Sequence, residues 1–336
     1  MAVENASQSV AQSFSWRDYN SASCTQRNRS FPMIKDPYGR TVTSVRISVT
    51  QRCNLRCFYC HHEGEGSDEP IEMAPEEIQR IVGVAASFGV TKVKLTGGEP
   101  LLRSDILGIV RGIKIVPGIS DVSMTTNGTL LSNLAKSLRE AGLTRVNVSL
   151  DTLEPETYRF ITGTNALERV VPGIKDALKA GLSPVKVNMV VLKGVNDDQI
   201  WNMIDFAKKN DAILQLIELE SAVEDDLYQR YHSDLAQIEK ELKRKAEKIR
   251  VRRMHHRRKY LLPRGVEVEV VRPMHNTEFC KHCNRIRVTS NGRFKPCLFR
   301  SDNLVDFLDP MRNGASDEAL RELFVEAVKR REPFFT

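Results

Sequence analysis

From about residue 40 the chain alternates between two hydrophobic periods, and this alternation restricts the fold more than any single motif does. Short β-rich runs fall at 45–49, 92–96, 121–125, 145–150, 185–191 and 213–219. Between them lie stretches with helical spacing, at 75–88, 104–115, 131–141, 167–180 and 197–209. The first opens Pro75-Glu76-Glu77, a proline and two acids in the turn where helix starts favour both. Its apolar residues Ile78, Ile81, Val82 and Ala85 keep the i, i+3, i+4, i+7 spacing of one buried face, and Gly89 follows as a stop. Six strands alternating with five helices predict an α/β fold with a parallel sheet and right-handed crossovers. Such a sheet is either a curved, barrel-like array or an open, doubly wound one, and in both its functional groups belong at the C-terminal strand ends.

The polar motifs follow that rule. A cysteine-rich loop comes after the first run, Thr96-Gly97-Gly98-Glu99-Pro100 after the second, and Thr125-Thr126-Asn127-Gly128 ends the third. Ser149 and Asp151 end the fourth. Lys186 lies in the fifth, where alternation with Val185 and Val187 points it away from their face. Polar features gathered on one rim predict an active site rather than a structural metal.

Composition narrows the class. The 336 residues are 41% hydrophobic and 28% charged, ordinary values for a soluble globular protein of one large domain or two smaller ones. No apolar run approaches the roughly 18–20 residues of a membrane span, and the N-terminus has no secretory pattern. Six of the seven cysteines sit in two tight groups, as metal ligands in a reducing cytoplasm do and a disulfide framework does not. Cys24 is left without a role. The net charge of +7 favours anionic partners. The basic run 243–259 holds ten Lys/Arg against one acid, Glu247, and lacks interleaved aromatics, so a solvated face is expected there and nucleic acid is not. Three segments emerge: a disordered extension over 1–35, a barrel-like core over 36–222, and a C-terminal region over 223–336 that closes with a helix at 316–330.

Cys53-Asn54-Leu55-Arg56-Cys57-Phe58-Tyr59-Cys60 contains three cysteines in a C-x3-C-x2-C spacing. A lone cysteine is usually a small buried hydrophobe, whereas three within eight residues form a ligand set. Three residues of extended chain reach at most about 10 Å, so a modest curl gathers all three sulfurs. One reading is a closed Cys3His zinc site completed by His61 or His62. The other is an iron–sulfur cluster, which ordinarily takes four cysteines and would here keep one iron open for chemistry.

Cys280-Lys281-His282-Cys283 is followed, after thirteen intervening residues, by Cys297. Asn291-Gly292 signals a two-residue hairpin turn that sets Ser290 opposite Arg293 and Cys297 opposite Ile286. This makes a second trio, for which a zinc site closed by His275 or His282 is the alternative. Arg285 and Arg287 are two apart on a strand and share a face. They either hold an anionic or carbonyl-bearing ligand or balance the charge of the cluster.

Together these residues resemble the GTP 3′,8-cyclase family of the radical S-adenosylmethionine superfamily. The resemblance runs through Gly39-Arg40, Val45-Arg46-Ile47-Ser48, the Cys53–Cys60 loop, Gly97-Gly98-Glu99-Pro100, Thr125-Thr126-Asn127-Gly128, Val148-Ser149-Leu150-Asp151 and Lys186-Val187-Asn188. It ends in Cys280, Cys283-Asn284-Arg285-Ile286-Arg287 and Cys297, so that it covers the chain from about residue 36 onward. It implies an incomplete (βα)6 TIM-like barrel with a C-terminal α+β extension carrying a second Fe–S cluster. Cys53, Cys57 and Cys60 would hold one [4Fe–4S] cluster, at which S-adenosyl-L-methionine binds, and Cys280, Cys283 and Cys297 a second [4Fe–4S] cluster. Tyr59, Gly98 and Ser149 would contact S-adenosylmethionine; Arg46, Lys94, Thr125, Lys186, Arg285 and Arg287 would bind GTP. The implied reaction removes the 3′ hydrogen of GTP and joins C3′ to C8, giving (8S)-3′,8-cyclo-7,8-dihydroguanosine 5′-triphosphate, the first step of molybdenum cofactor biosynthesis. The implied partners are a reducing electron donor and cyclic pyranopterin monophosphate synthase as the next pathway enzyme; a homodimer is admitted but not required. The chain departs from the family pattern with Lys94 in place of arginine, Glu220 near a usual methionine, and Phe334-Phe335-Thr336 in place of a Gly-Gly ending, the last expected to be a lineage variant. The competing readings are another radical S-adenosylmethionine enzyme with an auxiliary cluster, of the peptide maturase type, and a two-zinc binding module.

Overall fold

The first six strands of the central sheet bury apolar side chains at alternate positions, and the layering of the molecule follows from where those side chains go. The structure is a computed structural model that describes residues 33–65, 71–221 and 225–335. Cys24 and most of the expected N-terminal extension lie outside the described residues. In β1 (Ser44–Ser48) Val45 and Ile47 are buried, as are Val93 and Leu95 in β2 (Lys92–Thr96) and Val122 and Met124 in β3 (Asp121–Thr126). Val146 and Val148 of β4 (Arg145–Ser149), Val187 and Met189 of β5 (Lys186–Val191) and Leu214 and Leu216 of β6 (Ile213–Glu218) continue that face. These side chains form one apolar cluster with residues of α1 (Pro75–Ala86), α2 (Ile106–Lys114), α3 (Leu131–Ala141), α4 (Pro155–Thr162), α5 (Leu167–Lys179) and α6 (Ile200–Lys209). The other face of the same strands is polar. A sheet sandwiched between helices reads as near-continuous apolar runs; the alternation here marks an inner face that is not packed on helices.

Strands β1 to β6 pair in sequence order, all parallel. Past α7 (Asp226–Tyr231) and α8 (Ala236–Lys245), the C-terminal region adds to both edges of the sheet. β9 (Glu267–Val271) lies parallel to β6, flanked by antiparallel β8 (Arg258–Leu261) and β7 (Lys248–Val251). β10 (Arg285–Val288) lies parallel to β1 at the opposite edge, followed by antiparallel β11 (Arg293–Lys295) and β12 (Val305–Asp306). Among the described residues no pairing joins the two outer edges, so the TIM-like barrel is incomplete. α9 (Thr277–Lys281) lies in the connection that carries the chain from the β9 edge to the β10 edge, and α10 (Leu308–Arg312) and α11 (Asp317–Lys329) end the fold. No helix among the described residues is long and apolar enough to cross a membrane.

The expected strands and helices are present, with four differences. α4, eight residues long, was not expected; its single turn-and-a-half of apolar pattern is too short to register against the flanking polar sequence. α6 begins at Ile200, because the segment from Asp197 to Gln199 is a separate 3-10 turn. The basic run divides: all of β7 is exposed, but Arg252 and Arg257 turn inward and His255 is buried. Finally, the hairpin register differs by one residue. Arg287 pairs with Lys295 and Val288 with Phe294, and the Thr289 amide donates to the Arg293 carbonyl at 2.9 Å. The loop therefore has three residues, with Gly292 at φ +77° in the left-handed position such loops require. A Cβ there would lie 2.5 Å from Leu308 Cβ. Pairing stops at Lys295, before Pro296, so Cys297 leaves the ladder instead of facing Ile286.

One buried ion cluster pins the C-terminal region to the start of the fold. Arg331, only 1% exposed, donates from Nη1 to the Asp36 carboxylate at 2.9 Å and from Nη2 to the Cys283 carbonyl at 2.8 Å. Asp36 also accepts from Arg40 Nε at 2.7 Å, and Arg40 Nη1 donates to the Cys280 carbonyl at 3.0 Å. Replacing Arg331 by methionine leaves Asp36 with one cation and a buried carbonyl without its donor. The expected loss is about 3 kcal/mol, read as a lower denaturant midpoint, with faster metal loss from the Cys280–Cys283 side than from the Cys53–Cys60 side.

Candidate active site

The polar inner face is arranged in rows by strand register. Arg287, Arg46, Lys94 and Ser123 are successive partners across β10, β1, β2 and β3, and Arg145 of β4 pairs with Ser123. Thr125, Asn147 and Lys186 make a second row, and Ser149, Asn188, Gln215 and Glu269 a third. All of these line one cavity of 410 Å³ except Glu269, which lies behind its wall, and the same cavity touches all six clustered cysteines. The two trios lie at opposite ends of the strands. Cys53, Cys57 and Cys60 follow the C-terminal end of β1, whereas Cys283 precedes the N-terminal end of β10, whose Arg285 pairs with Ser44 at the start of β1. The single rim expected from sequence is therefore incomplete as a description: Lys186, Arg285 and the second trio belong to the other end.

The first cysteine loop hangs from the glycine turn. Gly98 donates its amide to the Thr50 carbonyl at 2.8 Å and Glu99 to the Arg52 carbonyl at 2.7 Å. A Cβ on Gly97, at φ +142°, would lie 2.2 Å from Thr50 O, and one on Gly98 2.2 Å from Arg52 O. The missing Cβ atoms thus serve the approach of this protein's own backbone. The buried Glu99 carboxylate accepts from the Leu101 amide, the Asn127 amide and Thr126 Oγ1, and burial still pushes it up to about 7. On its other side the loop rests on α4: Arg56 and Phe58 donate to the carbonyls of Thr162 and Ile161. Tyr59 Oη donates to Asp151 at 2.5 Å, and burial pushes Asp151 up to about 6.

The sulfurs suit clusters better than single zinc ions. Burial raises the thiols of Cys53, Cys57 and Cys60, and for Cys57 the Asp151 charge adds to it; a bound cation would offset that shift. A tetrahedral zinc, with Zn–S of about 2.3 Å, draws its sulfurs to about 3.8 Å of one another. Among the described residues neither trio, with or without a histidine, brings three ligand atoms within 4.8 Å. His275 instead packs on Phe335, with ring centroids 5.0 Å apart. At the second trio burial also raises Cys297, but at Cys283 it is outweighed by the charges of Arg331, Arg285 and Arg40 and a hydrogen bond with the Arg285 backbone, which hold that thiol down.

Between the trios lie cations. Arg46 and Arg287 share Glu63, at 2.7 and 2.6 Å, and Lys186, Arg252 and Arg257 surround Glu269, at 2.6, 2.9 and 3.0 Å. Arg145 is paired with Asp121. Among the described residues Lys94 and Arg285 have no carboxylate partner within 4.0 Å, and Arg285 Nε is buried without any acceptor. Desolvation, then repulsion from neighbouring cations with Arg46 first, drives both well below their ordinary values. The hydroxyls of Thr125 and Ser149 line the cavity. Glu220 lines it too, 3.6 Å from His61. Phe334 reaches the cavity wall and packs on Phe299, with centroids 5.1 Å apart.

All fifteen residues singled out from sequence reach this one cavity. Those that sequence reading missed are its counter-charges and their partners, Glu63, Glu269, Arg145, Arg252 and Arg257, and the buried His255, which lines the cavity and stacks on Phe279. For Glu269 the signal was present, as the one fully buried acid alternating with valines in Glu267-Val268-Glu269-Val270-Val271.

A partial parallel barrel with a three-cysteine loop after β1 and a glycine turn packed against it defines a radical S-adenosylmethionine protein. The family model described as "Radical SAM superfamily" matches residues 47–207, and "Molybdenum Cofactor Synthesis C" matches 212–336. The chain is 53% identical to a "Probable GTP 3',8-cyclase" of Thermococcus kodakarensis, over 90% of this chain and 100% of that one. Proteins of the same description from Pyrococcus horikoshii and Methanothermobacter marburgensis are each 53% identical, over 90% of this chain and 99% of theirs. The chain belongs to the GTP 3′,8-cyclase family. Its fold is shared with the crystal structure of Streptococcus suis SuiB bound to S-adenosylmethionine, with a TM-score of 0.61 at 18% identity over 91% of this chain and 71% of that one.

Glu63 provides a test of the charge balance. Burial raises its pKa, but Arg46 and then Arg287 outweigh burial and hold it at about 2. Because the folded value is depressed, its contribution is fully present above the ordinary carboxylate range and fades as pH falls toward 2. Glu63→Gln should therefore be less stable than the parent by about 3 kcal/mol at pH 7. That gap should narrow as the denaturant midpoint is followed from pH 6 down to pH 3.

Proposed function

We propose that this protein is a GTP 3′,8-cyclase that converts GTP to (8S)-3′,8-cyclo-7,8-dihydroguanosine 5′-triphosphate, opening molybdenum cofactor biosynthesis. The observation that carries this reading is a pair of cations, Lys94 and Arg285, that have no carboxylate partner among the described residues and line a cavity joining two cysteine trios. Cys53, Cys57 and Cys60 would hold a [4Fe–4S] cluster, which would supply the electron for reductive cleavage of S-adenosylmethionine.

The protein's own residues bind, orient and enclose. Tyr59, Gly98 and Ser149 line the end of the cavity at the first trio, where they would receive S-adenosylmethionine. The Tyr59–Asp151 bond fixes the ring there, and the Ser149 hydroxyl offers a donor. Lys94 and Arg285 would take the triphosphate, which relieves the repulsion they carry from neighbouring cations. Arg46 and Arg287 keep one face on Glu63 and present the other to the cavity; Lys186 does the same from Glu269. Thr125, in the row beside Lys94, adds a neutral donor. Cys280, Cys283 and Cys297 would hold the second [4Fe–4S] cluster, at the far end of the bound nucleotide. Setting the reacting sugar between the two ends supplies proximity and keeps water from the radical. A reducing protein would deliver the electron, in a reducing cytoplasm, and the product would pass to cyclic pyranopterin monophosphate synthase.

Anaerobically reconstituted protein should contain about eight irons per chain. With reductant, S-adenosylmethionine and GTP it should form 5′-deoxyadenosine and the cyclised nucleotide together. Colourless protein holding two zinc ions, or deoxyadenosine formation indifferent to GTP, would overturn the proposal. Cys57→Ala should abolish deoxyadenosine, while Cys280→Ala should retain part of it and lose the cyclised product. Lys94→Met and Arg285→Ala should each raise the KM for GTP by roughly 10–100-fold with little effect on S-adenosylmethionine binding, as separate titrations of the two ligands would show.

A further inference from the structure

His256, Glu278 and His282 meet at the surface beside the second cysteine trio, and nothing in the proposed reaction uses them. One ligand atom of each lies within 4.8 Å of those of the other two. His256 Nδ1 is 3.8 Å and His282 Nδ1 is 3.7 Å from the same carboxylate oxygen, Glu278 Oε2. The side chains come from two separate pieces of chain. Glu278 and His282 are one helical turn apart on and just after α9, and His256 ends the turn Met254–His256.

The two pieces are already docked. The His255 amide donates to the His282 carbonyl at 2.9 Å, and the buried His255 ring stacks on Phe279 with centroids 3.8 Å apart. His282 Nδ1–H donates to the Glu278 carbonyl at 2.9 Å. That bond holds the His282 ring against its own helix, beside Glu278. Lys281 Nζ approaches the other carboxylate oxygen, Oε1, at 3.3 Å. An exposed pair of that kind is weak and leaves Oε2 available.

We propose that His256, Glu278 and His282 form a binding site for one divalent cation of the zinc class, separate from both cysteine trios. Two imidazoles and one carboxylate with open positions suit Zn²⁺, Co²⁺ or Ni²⁺, whereas Ca²⁺ and Mg²⁺ require oxygen donors. A cation held there ties the turn that carries Arg252, Met254 and Arg257 to the helix that carries Cys280. It therefore braces the wall of the cavity from outside without entering it.

The test uses the protein with both cysteine trios loaded with iron and free metal removed, titrated anaerobically with Co²⁺. One Co²⁺ per chain is expected, with d–d absorption bands, no sulfur-to-cobalt charge transfer, and displacement by Zn²⁺. His256→Ala and Glu278→Gln should each weaken uptake by at least about tenfold, with iron content and cluster absorption unchanged. No stoichiometric uptake at micromolar cobalt, a sulfur charge-transfer band, or uptake that neither substitution weakens would overturn the site. Iron content and GTP turnover measured on the same samples separate the two proposals. Lost cobalt uptake with intact turnover refutes only this site, and absent turnover with intact uptake refutes only the reaction.

Discussion

Positive charge crowded into one enclosed space is the condition on which the rest of this structure depends. Taking several guanidinium and ammonium groups out of water is expensive, and their mutual repulsion adds to the cost. Two carboxylates answer it, Glu63 for two arginines and Glu269 for three cations, and both carboxylates are buried. The balance is incomplete among the described residues: Lys94 and Arg285 have no carboxylate partner there, and the proposed binding of a triphosphate draws on that. A hydrophobic pocket of the same size would bind guanine but would have no hold on a triphosphate.

Much of this was legible in the sequence, and the parts that were not share a physical reason. The strand–helix alternation shows the sheet because each strand must bury one face, and that requirement is written every second residue. The cysteines show the metal sites because three sulfurs in eight residues have little other use. Two of the three partners of Glu269 were hidden because they come from the basic run, whose local composition reads as a solvated surface; Arg252 and Arg257 lie between β7 and β8, and only their ion pairs with Glu269 reveal that they face inward. The hairpin register was hidden for a smaller reason. Asn291-Gly292 serves equally in a two-residue turn and in a three-residue loop, and the packing of Gly292 against Leu308 decides between them.

Topology explains how one cavity comes to have a cysteine trio at each end. The first trio uses the ordinary position for function in a parallel α/β sheet, the loop after a strand. The second uses the segment between β9 and β10, which lie at opposite edges of the parallel set. The chain must cross the open side of the sheet there, and Cys280 and Cys283 ride on the crossing. The extension thus completes the barrel functionally where it does not complete it by hydrogen bonding.

The ion cluster around Asp36 also imposes an order on maturation. The backbone hydrogen bonds that hold the first cysteine loop, from Gly98 and Glu99 to the carbonyls of Ile161 and Thr162, are made within the first half of the chain, while Phe58 and Tyr59 pack further on Leu192, Leu219 and Tyr231. The clamp on the second trio is not made there: Arg331 grips the Cys283 carbonyl from 48 residues downstream. During synthesis the first pocket can take shape while the ribosome is still extending the chain, but the second stays unclamped until α11 has emerged and docked. In chain order the clamp on the second trio is therefore one of the last parts of the cavity to be supplied.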